Sequence, residues 1–510
     1  MPESIHTGRP VRLHNLQVAS CQEVKIVKKR LFYVLAGSLI LAACSSSDSN
    51  DPPPTGNVPA TADVVTVGPV TGFGSIHSNG IHFGTDSATV MMDGESAILS
   101  DLKIGMVVSI HGTVDQTTGA AEANQIRFMD DAEGPITAMN RVTNRFEVLG
   151  RTVLFDELTV VDGATLDTLA NGNMVQVSGQ WRSQERIQAT HIERKANAYA
   201  DGMKMEVKGQ ISGLDPGTQH FFIGTQLCNY AGATLELGGA ALADGMYVEV
   251  SSNSPMSNGD MVLDQIQLHD RDRDRDQTST SDCNFELEGF VTSFTSATEF
   301  EVDGQPVTTT ASTTYVNGTV DTLAIDVKLA VNGTLDTDGV LVADQIVFRL
   351  PSLIEIEADV EAINAAENSF TLLGINVTTD EFTLFRDHSA IGAPVFGFED
   401  LAVGARVEVR AYLDGVDVIA TRVERDDADD SVTLKALVEA IDRPSVTMLG
   451  ITVTSDQDTD FQNFAKEVID ADAFFSLVVI DDLVRAEGTY DGTSILADQL
   501  FLRECENSCL

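Results

Sequence analysis

The sequence predicts an all-β protein made of six tandem copies of one small five-stranded barrel, preceded by an export signal and a tether. Three marks predict it, because they recur in the same order along the chain: a glycine inside a short hairpin, a glycine-initiated alternating strand, and an Ala-x-x-Ile strand. Self-similarity at a near-fixed period is the signature of repeat architectures.

The first mark places a large residue four positions before the glycine and an apolar residue three after it. It reads Ile76/Gly80/Phe83, Phe146/Gly150/Val153, His220/Gly224/Leu227, Phe300/Gly304/Val307, Phe370/Gly374/Val377 and Val446/Gly450/Val453. Alternation on both sides is that of strands, and the glycine supplies the positive φ of a tight turn. Asn79-Gly80 and Asp303-Gly304 are favoured two-residue hairpin pairs. The second mark covers 105–112, 172–179, 245–252, 326–333, 404–411 and 481–488, with Asp326 and Asp481 in place of the leading glycine. The third reads Ala123/Ile126, Ala189/Ile192, Leu263/Ile266, Ala343/Ile346, Ala420/Val423 and Ala497/Leu500, spaced 66 to 80 residues apart.

Each copy then holds a strand before the hairpin, two hairpin arms, the glycine-initiated strand and the Ala-x-x-Ile strand. An open sheet of this size would leave edges and half its apolar face uncovered, so a closed barrel is expected. Five strands with the long connection after the third have the layout of the OB-type barrel, with a short sandwich as the rival topology. No long 3.6-residue periodicity is present, so little helix is expected. The expected segments are a signal peptide at 1–43, a lipidated tether at 44–63, and β modules at 64–131, 132–200, 201–276, 277–351, 352–430 and 431–510, strung like beads.

The repeated motifs, such as Phe300-Glu301-Val302-Asp303-Gly304 and Ala343-Asp344-Gln345-Ile346, resemble a family of tandem bacterial lipoprotein domains catalogued as domain of unknown function 5666. The resemblance covers about residues 65 to 505. Copies three and five depart from it, with Ser252 and Ala411 where the strand-end glycine is expected. It implies an OB-like fold and no established activity, so no functional residue follows from it.

The N-terminus supplies an address. Lys25, Lys28, Lys29 and Arg30 precede an apolar run at 31–43, too short to span hydrocarbon as a helix but suited to a signal peptide. The run ends Leu41-Ala42-Ala43-Cys44, which resembles the lipobox of bacterial lipoproteins, whose cysteine is lipidated. The resemblance implies a membrane anchor at Cys44, and Ser45 in place of aspartate implies an outer-membrane lipoprotein, periplasmic or surface-facing. Residues 1–24 fit no part of this pattern and read as an over-extended start.

Composition excludes some functions. With 43% hydrophobic residues and 14 prolines the chain is that of folded protein. Its formal charge of −45 repels phosphate backbones and argues against nucleic-acid binding. Outside the signal region, Cys228, Cys283, Cys505 and Cys509 form an even set suited to disulfides in an oxidising compartment. Cys228 with Cys283, and Cys505 with Cys509, is one of three connectivities, and free thiols are the alternative.

Candidates for chemistry are few. Nucleophile elbows, phosphate loops and zinc-binding spacings are absent. Ser100 and Lys103 match SxxK without its companion motifs. His77 and His82 fall opposite each other across the first hairpin, where they could share a metal or stand solvated. Trp181 is expected to be partly buried rather than an exposed sugar-stacking indole. Acidic residues cluster at module junctions: Asp130, Asp131 and Glu133; Asp270, Asp272, Asp274 and Asp276; and Glu424, Asp426, Asp427, Asp429 and Asp430. Oxygen ligands of this kind suit calcium, while solvated linkers are the simpler expectation. No other cofactor is implied. The favoured function is a noncatalytic envelope lipoprotein that binds a protein or glycan or acts as a spacer. A calcium-stabilised adhesion or matrix rod comes second, and an enzyme using Ser100/Lys103 or His77/His82 third.

Overall fold

The computed structural model describes residues 61–115, 117–268 and 284–503. Cys44 and the rest of the N-terminal address, Asp270 to Asp276, Cys283, Cys505 and Cys509 lie outside the described residues. No helix among the described residues is long and apolar enough to cross a membrane.

In barrel one, Thr61–Gly72 pairs antiparallel with Ile76–Ser78, which pairs with Ile81–Gly84. The third strand runs parallel to the fifth, Ala121–Phe128, and the fourth, Val107–Asp115, returns from the fifth to the first. This ring, in the order first, second, third, fifth, fourth, is that of an OB-type barrel. The same pairings close the ring that starts at Ala132–Asn140 and the one at Met205–Asp215. They recur from Asn284–Ser296, Ile354–Asp359 with Ala362–Asn364, and Val432–Asp442. The chief helix, Ala471–Leu477, is capped by the Asp470 side chain, which accepts from the Ala473 amide.

Each sequence mark has a backbone cause. In five hairpins both turn residues have positive φ, at Asn79, Leu149, Asp303, Leu373 and Leu449 followed by glycine, as the two-residue turn of a right-twisted hairpin requires. Leucine is costly in that conformation, but Leu149 and Leu373 recover the cost by burial in the core. The leading residue of the second mark, Gly105, Gly172, Gly245, Asp326, Gly404 or Asp481, also has positive φ. Its amide donates to a first-strand carbonyl in five copies, as Gly105 does to Val70, and in barrel five to Val360, between the two segments of the first strand.

The Ala-x-x-Ile spacing is explained by a bulge. Strand residues three apart point to opposite faces, yet Ala123 and Ile126 are both fully buried. The register slips between them: His111 faces Gln125 while the next residue, Gly112, faces Ala123, leaving Asn124 unpaired. The same slip occurs in barrels two, four, five and six. In four barrels a buried threonine hydroxyl donates to the carbonyl of the signature alanine: Thr159 to Ala189, Thr313 to Ala343, Thr383 to Ala420 and Thr459 to Ala497.

The barrels are not independent beads. Each first strand pairs with its second strand only over its C-terminal half, so its N-terminal half would present an open edge. That edge is covered by another barrel. Val64 to Val67 pair in parallel with Asn284 to Leu287, joining barrels one and four. Glu206 and Val207 pair with Glu133 and Ala132, joining barrels two and three. Glu355 to Glu357 pair with Lys435 to Thr433, joining barrels five and six. The cores merge accordingly. Barrels two and three share one apolar cluster and barrels five and six another. Val64 and Val70 fill the core of barrel one, whereas Val65 and Val67 pack into that of barrel four.

Candidate functional site

The acidic residues at the first junction do not form a solvated linker. Where barrels one, two and three meet, the strand register sets Gln176 beside Glu133 and Glu133 beside Glu206. Their neighbours Val175, Val177, Ala132 and Val207 point into the core, so alternation turns these three polar side chains to the opposite face. Asp130, just before the strand, is 1% exposed. Its Oδ2 accepts from Gln176 Nε2 at 3.0 Å, and its amide donates to Asp93 Oδ1 at 3.1 Å.

Asp93 reaches this point from barrel one because Asp93-Gly94, with φ of 47° and 80°, forms the two-residue turn between Thr89–Met92 and Glu95–Ala97. The dipeptide was a readable hairpin signal. One carboxylate oxygen from each of Asp93, Asp130 and Glu206 lies within 4.8 Å of the other two. It is the one group of three convergent His, Cys, Asp or Glu side chains among the described residues.

Two lysines partly balance the charge. Lys204 Nζ lies 2.5 Å from Glu206 Oε2. Lys208 donates to the Asp130 carbonyl and stands 3.7 Å from Glu249 Oε2 and 3.8 Å from Asp130 Oδ1. Burial disfavours the Lys208 charge, but Asp130, Glu249 and Glu206 outweigh it and hold the amine protonated. Burial pushes the Glu206 carboxyl up to about 7, and that of Asp130 well above the usual carboxylate range, with Asp93 and Glu206 adding repulsion. Three buried acceptors have no donor: Asp130 Oδ1, Glu206 Oε1 and Gln176 Oε1. Asp130 and Lys208 also line a cavity of about 110 Å³, together with Arg127, Trp181, Tyr247 and Asp303.

A family described as a domain of unknown function (DUF5666) matches the chain over residues 64–127, 133–193, 288–347, 357–424 and 435–500, more than half its length. The chain belongs to this family. The DUF5666 matches omit barrel three, whose ring is nonetheless closed by the same pairings. That copy departs most from the marks: its fifth strand is split into Met261–Val262 and Gln265–Leu268, and Ser252 replaces the strand-end glycine. No curated protein matches the chain.

Elsewhere in the DUF5666 array the predicted residues take other roles. Asp131 accepts from the Gly179 amide at 2.8 Å and from Trp181 Nε1 at 2.9 Å, so both its oxygens serve as struts. Trp181 is buried, its own amide donating to Asp303 of barrel four at 2.6 Å. Asp426 accepts from His388, Asp427 from the Ala390 amide and Asp429 from the Ser431 amide. Asp427, Asp429 and Asp430 are exposed, and this second acidic junction does not converge.

His77 and His82 face each other as expected. Their rings stack in parallel at 3.6 Å, an arrangement that aligns ring faces rather than aiming nitrogens at one ion. Burial, and then His82, lowers the His77 pKa to about 4. Lys103 Nζ donates to the backbone carbonyl of Ser100, not its hydroxyl, and both residues are exposed. Cys228 is a buried free thiol pushed up to about 12 by burial. Sequence reading missed Asp93, Lys204, Glu206 and Lys208, because only tertiary pairing brings them to the junction.

Proposed function

We propose that the chain is a noncatalytic cell-envelope lipoprotein whose six barrels act as one fixed platform that binds a protein or glycan or holds its surroundings at a set spacing. The observation that carries the reading is the pairing of barrels through their first strands, with merged cores. Such seams favour a preset arrangement of surfaces over a flexible string, and a repeating ligand would then bind with avidity. The Leu41-Ala42-Ala43-Cys44 sequence supports a lipid anchor at Cys44 in the outer membrane. The formal charge of −45 speaks against nucleic acid as the partner. The exposed Ser100/Lys103 pair and the stacked histidines offer no nucleophile–base geometry, which supports a noncatalytic role. The Asp93–Asp130–Glu206 triangle favours a calcium-stabilised version of the same platform.

Mass spectrometry of protein from the native envelope tests the anchor, and a mature chain with unmodified Cys44 refutes it. A glycan array and a protein pull-down with the unlipidated form test binding. A hit on either defines the ligand class, and silence on both leaves the spacer role.

A further inference from the structure

We propose that Asp93, Asp130 and Glu206, with the carboxamide oxygen of Gln176, form a site for one hard divalent cation of the calcium class, which clamps barrels one, two and three together. The reading does not depend on what the platform binds. The three carboxylates come from separate parts of the array: a hairpin turn of barrel one, the lead-in to barrel two, and the first strand of barrel three. Their oxygens lie within 4.8 Å of one another. Ligands held about 2.3–2.6 Å from a common ion stand at most about 5 Å apart, so the triangle is the size calcium takes.

A second observation points to a ligand independently of the acidic cluster. Gln176 is neutral and only 4% exposed, and its amide nitrogen is tied to Asp130 while its oxygen has no donor. Asp130 Oδ1 and Glu206 Oε1 share that condition. All three orphan atoms are acceptors, and a buried acceptor without a partner is costly. The nearest ammonium groups hydrogen-bond other atoms, Lys204 to Glu206 Oε2 and Lys208 to the Asp130 carbonyl, and Lys208 comes no nearer than 3.8 Å to Asp130 Oδ1. Five carboxyl groups, the buried Asp130 and Glu206 and the partly exposed Asp93, Glu133 and Glu249, face two lysines here, so the junction holds more oxygen ligands than its own cations can pair. Gln176 and the carboxylates supply four oxygens, and water completes the shell as calcium permits.

The test uses the full chain, stripped with chelator and titrated calorimetrically with calcium chloride near neutral pH, with Tm read in calcium and in chelator. The expected result is saturable uptake of about one ion per chain and a higher Tm in calcium. Glu206→Gln and Asp130→Asn should each weaken calcium binding roughly tenfold or more, while Asp427→Asn at the exposed junction should leave it unchanged. Glu206→Gln keeps the side-chain shape, so it decides the matter if Asp130→Asn fails to fold. Identical Tm in calcium and chelator, no saturable heat, or wild-type affinity in a folded Glu206→Gln variant would overturn the proposal.

Discussion

Arg182 of barrel two grips Asp326 of barrel four through two parallel bonds, Nε to Oδ1 at 2.6 Å and Nη2 to Oδ2 at 2.7 Å. The guanidinium also lies over the Phe290 ring, 4.8 Å from its centroid. A planar fork matches a carboxylate in a way an ammonium cannot. Arg182→Lys should therefore cost about 1 kcal/mol and Arg182→Ala about 2 kcal/mol in chemical denaturation. A double-mutant cycle with Asp326→Asn should return a coupling of similar size.

Acid should loosen the seam between barrels five and six. Burial alone would raise the Glu355 carboxyl, but Arg410, Arg485 and Lys435 outweigh it and hold it at about 2. Lys328 and Arg349 do the same for buried Glu288, also at about 2. A folded-state value below the unfolded one gives stability that is present above the ordinary glutamate range and drains away as pH falls toward 2. Each residue carries on the order of 3 kcal/mol of this kind. Glu355→Gln should lower stability at neutral pH by about 3 kcal/mol, because Arg410, Arg485 and Lys435 lose the buried carboxylate they share and keep only Glu157, Glu408 and Glu487. It should also flatten the stability profile below pH ~4, measured by urea unfolding across pH.

Val65 and Val67 belong by sequence to barrel one but pack in the core of barrel four, each 5% exposed. Truncating either to alanine should cost about 1–2 kcal/mol. The loss should appear in the amide protection of residues 284–287 as well as 64–67, read by hydrogen exchange. Protection lost only within barrel one would contradict the shared core.

Thr383 donates its buried hydroxyl to the Ala420 carbonyl at 2.8 Å, beside the bulge. Thr383→Val keeps the shape and strands the carbonyl, so a loss of about 1–2 kcal/mol is expected. Thr383→Ser should restore most of it. Thermal unfolding of the two variants checks both.

Much of each barrel was legible in the sequence. The hairpin glycines, the glycine or aspartate before the fourth strand and the Ala-x-x-Ile pair are set by local φ and by burial, which leave residue-level traces at Gly304, Asp326 and Ala343. The seams left fainter ones. Glu206, Lys208, Glu355 and Lys435 look like the polar face of ordinary half-exposed strands, yet all are buried against another barrel. Charge in the sequence indicates a wet surface only until a second edge covers it. The site was half visible: Asp130 was among the candidates, whereas Asp93 and Glu206 lie in other modules and no local pattern links them to it.

The partner of the first strand is made about 220 residues after it, since Val64 lies beside Asn284. Barrels two and three, and five and six, can dock as soon as the second of each pair is complete. Barrel one closes early and then waits with its outward valines bare while two whole barrels are synthesised. During that interval it is a sticky surface in need of a chaperone. A chain cut short before residue 284 keeps that surface permanently, and its natural recourse is to recruit a neighbouring molecule's strand in place of its own.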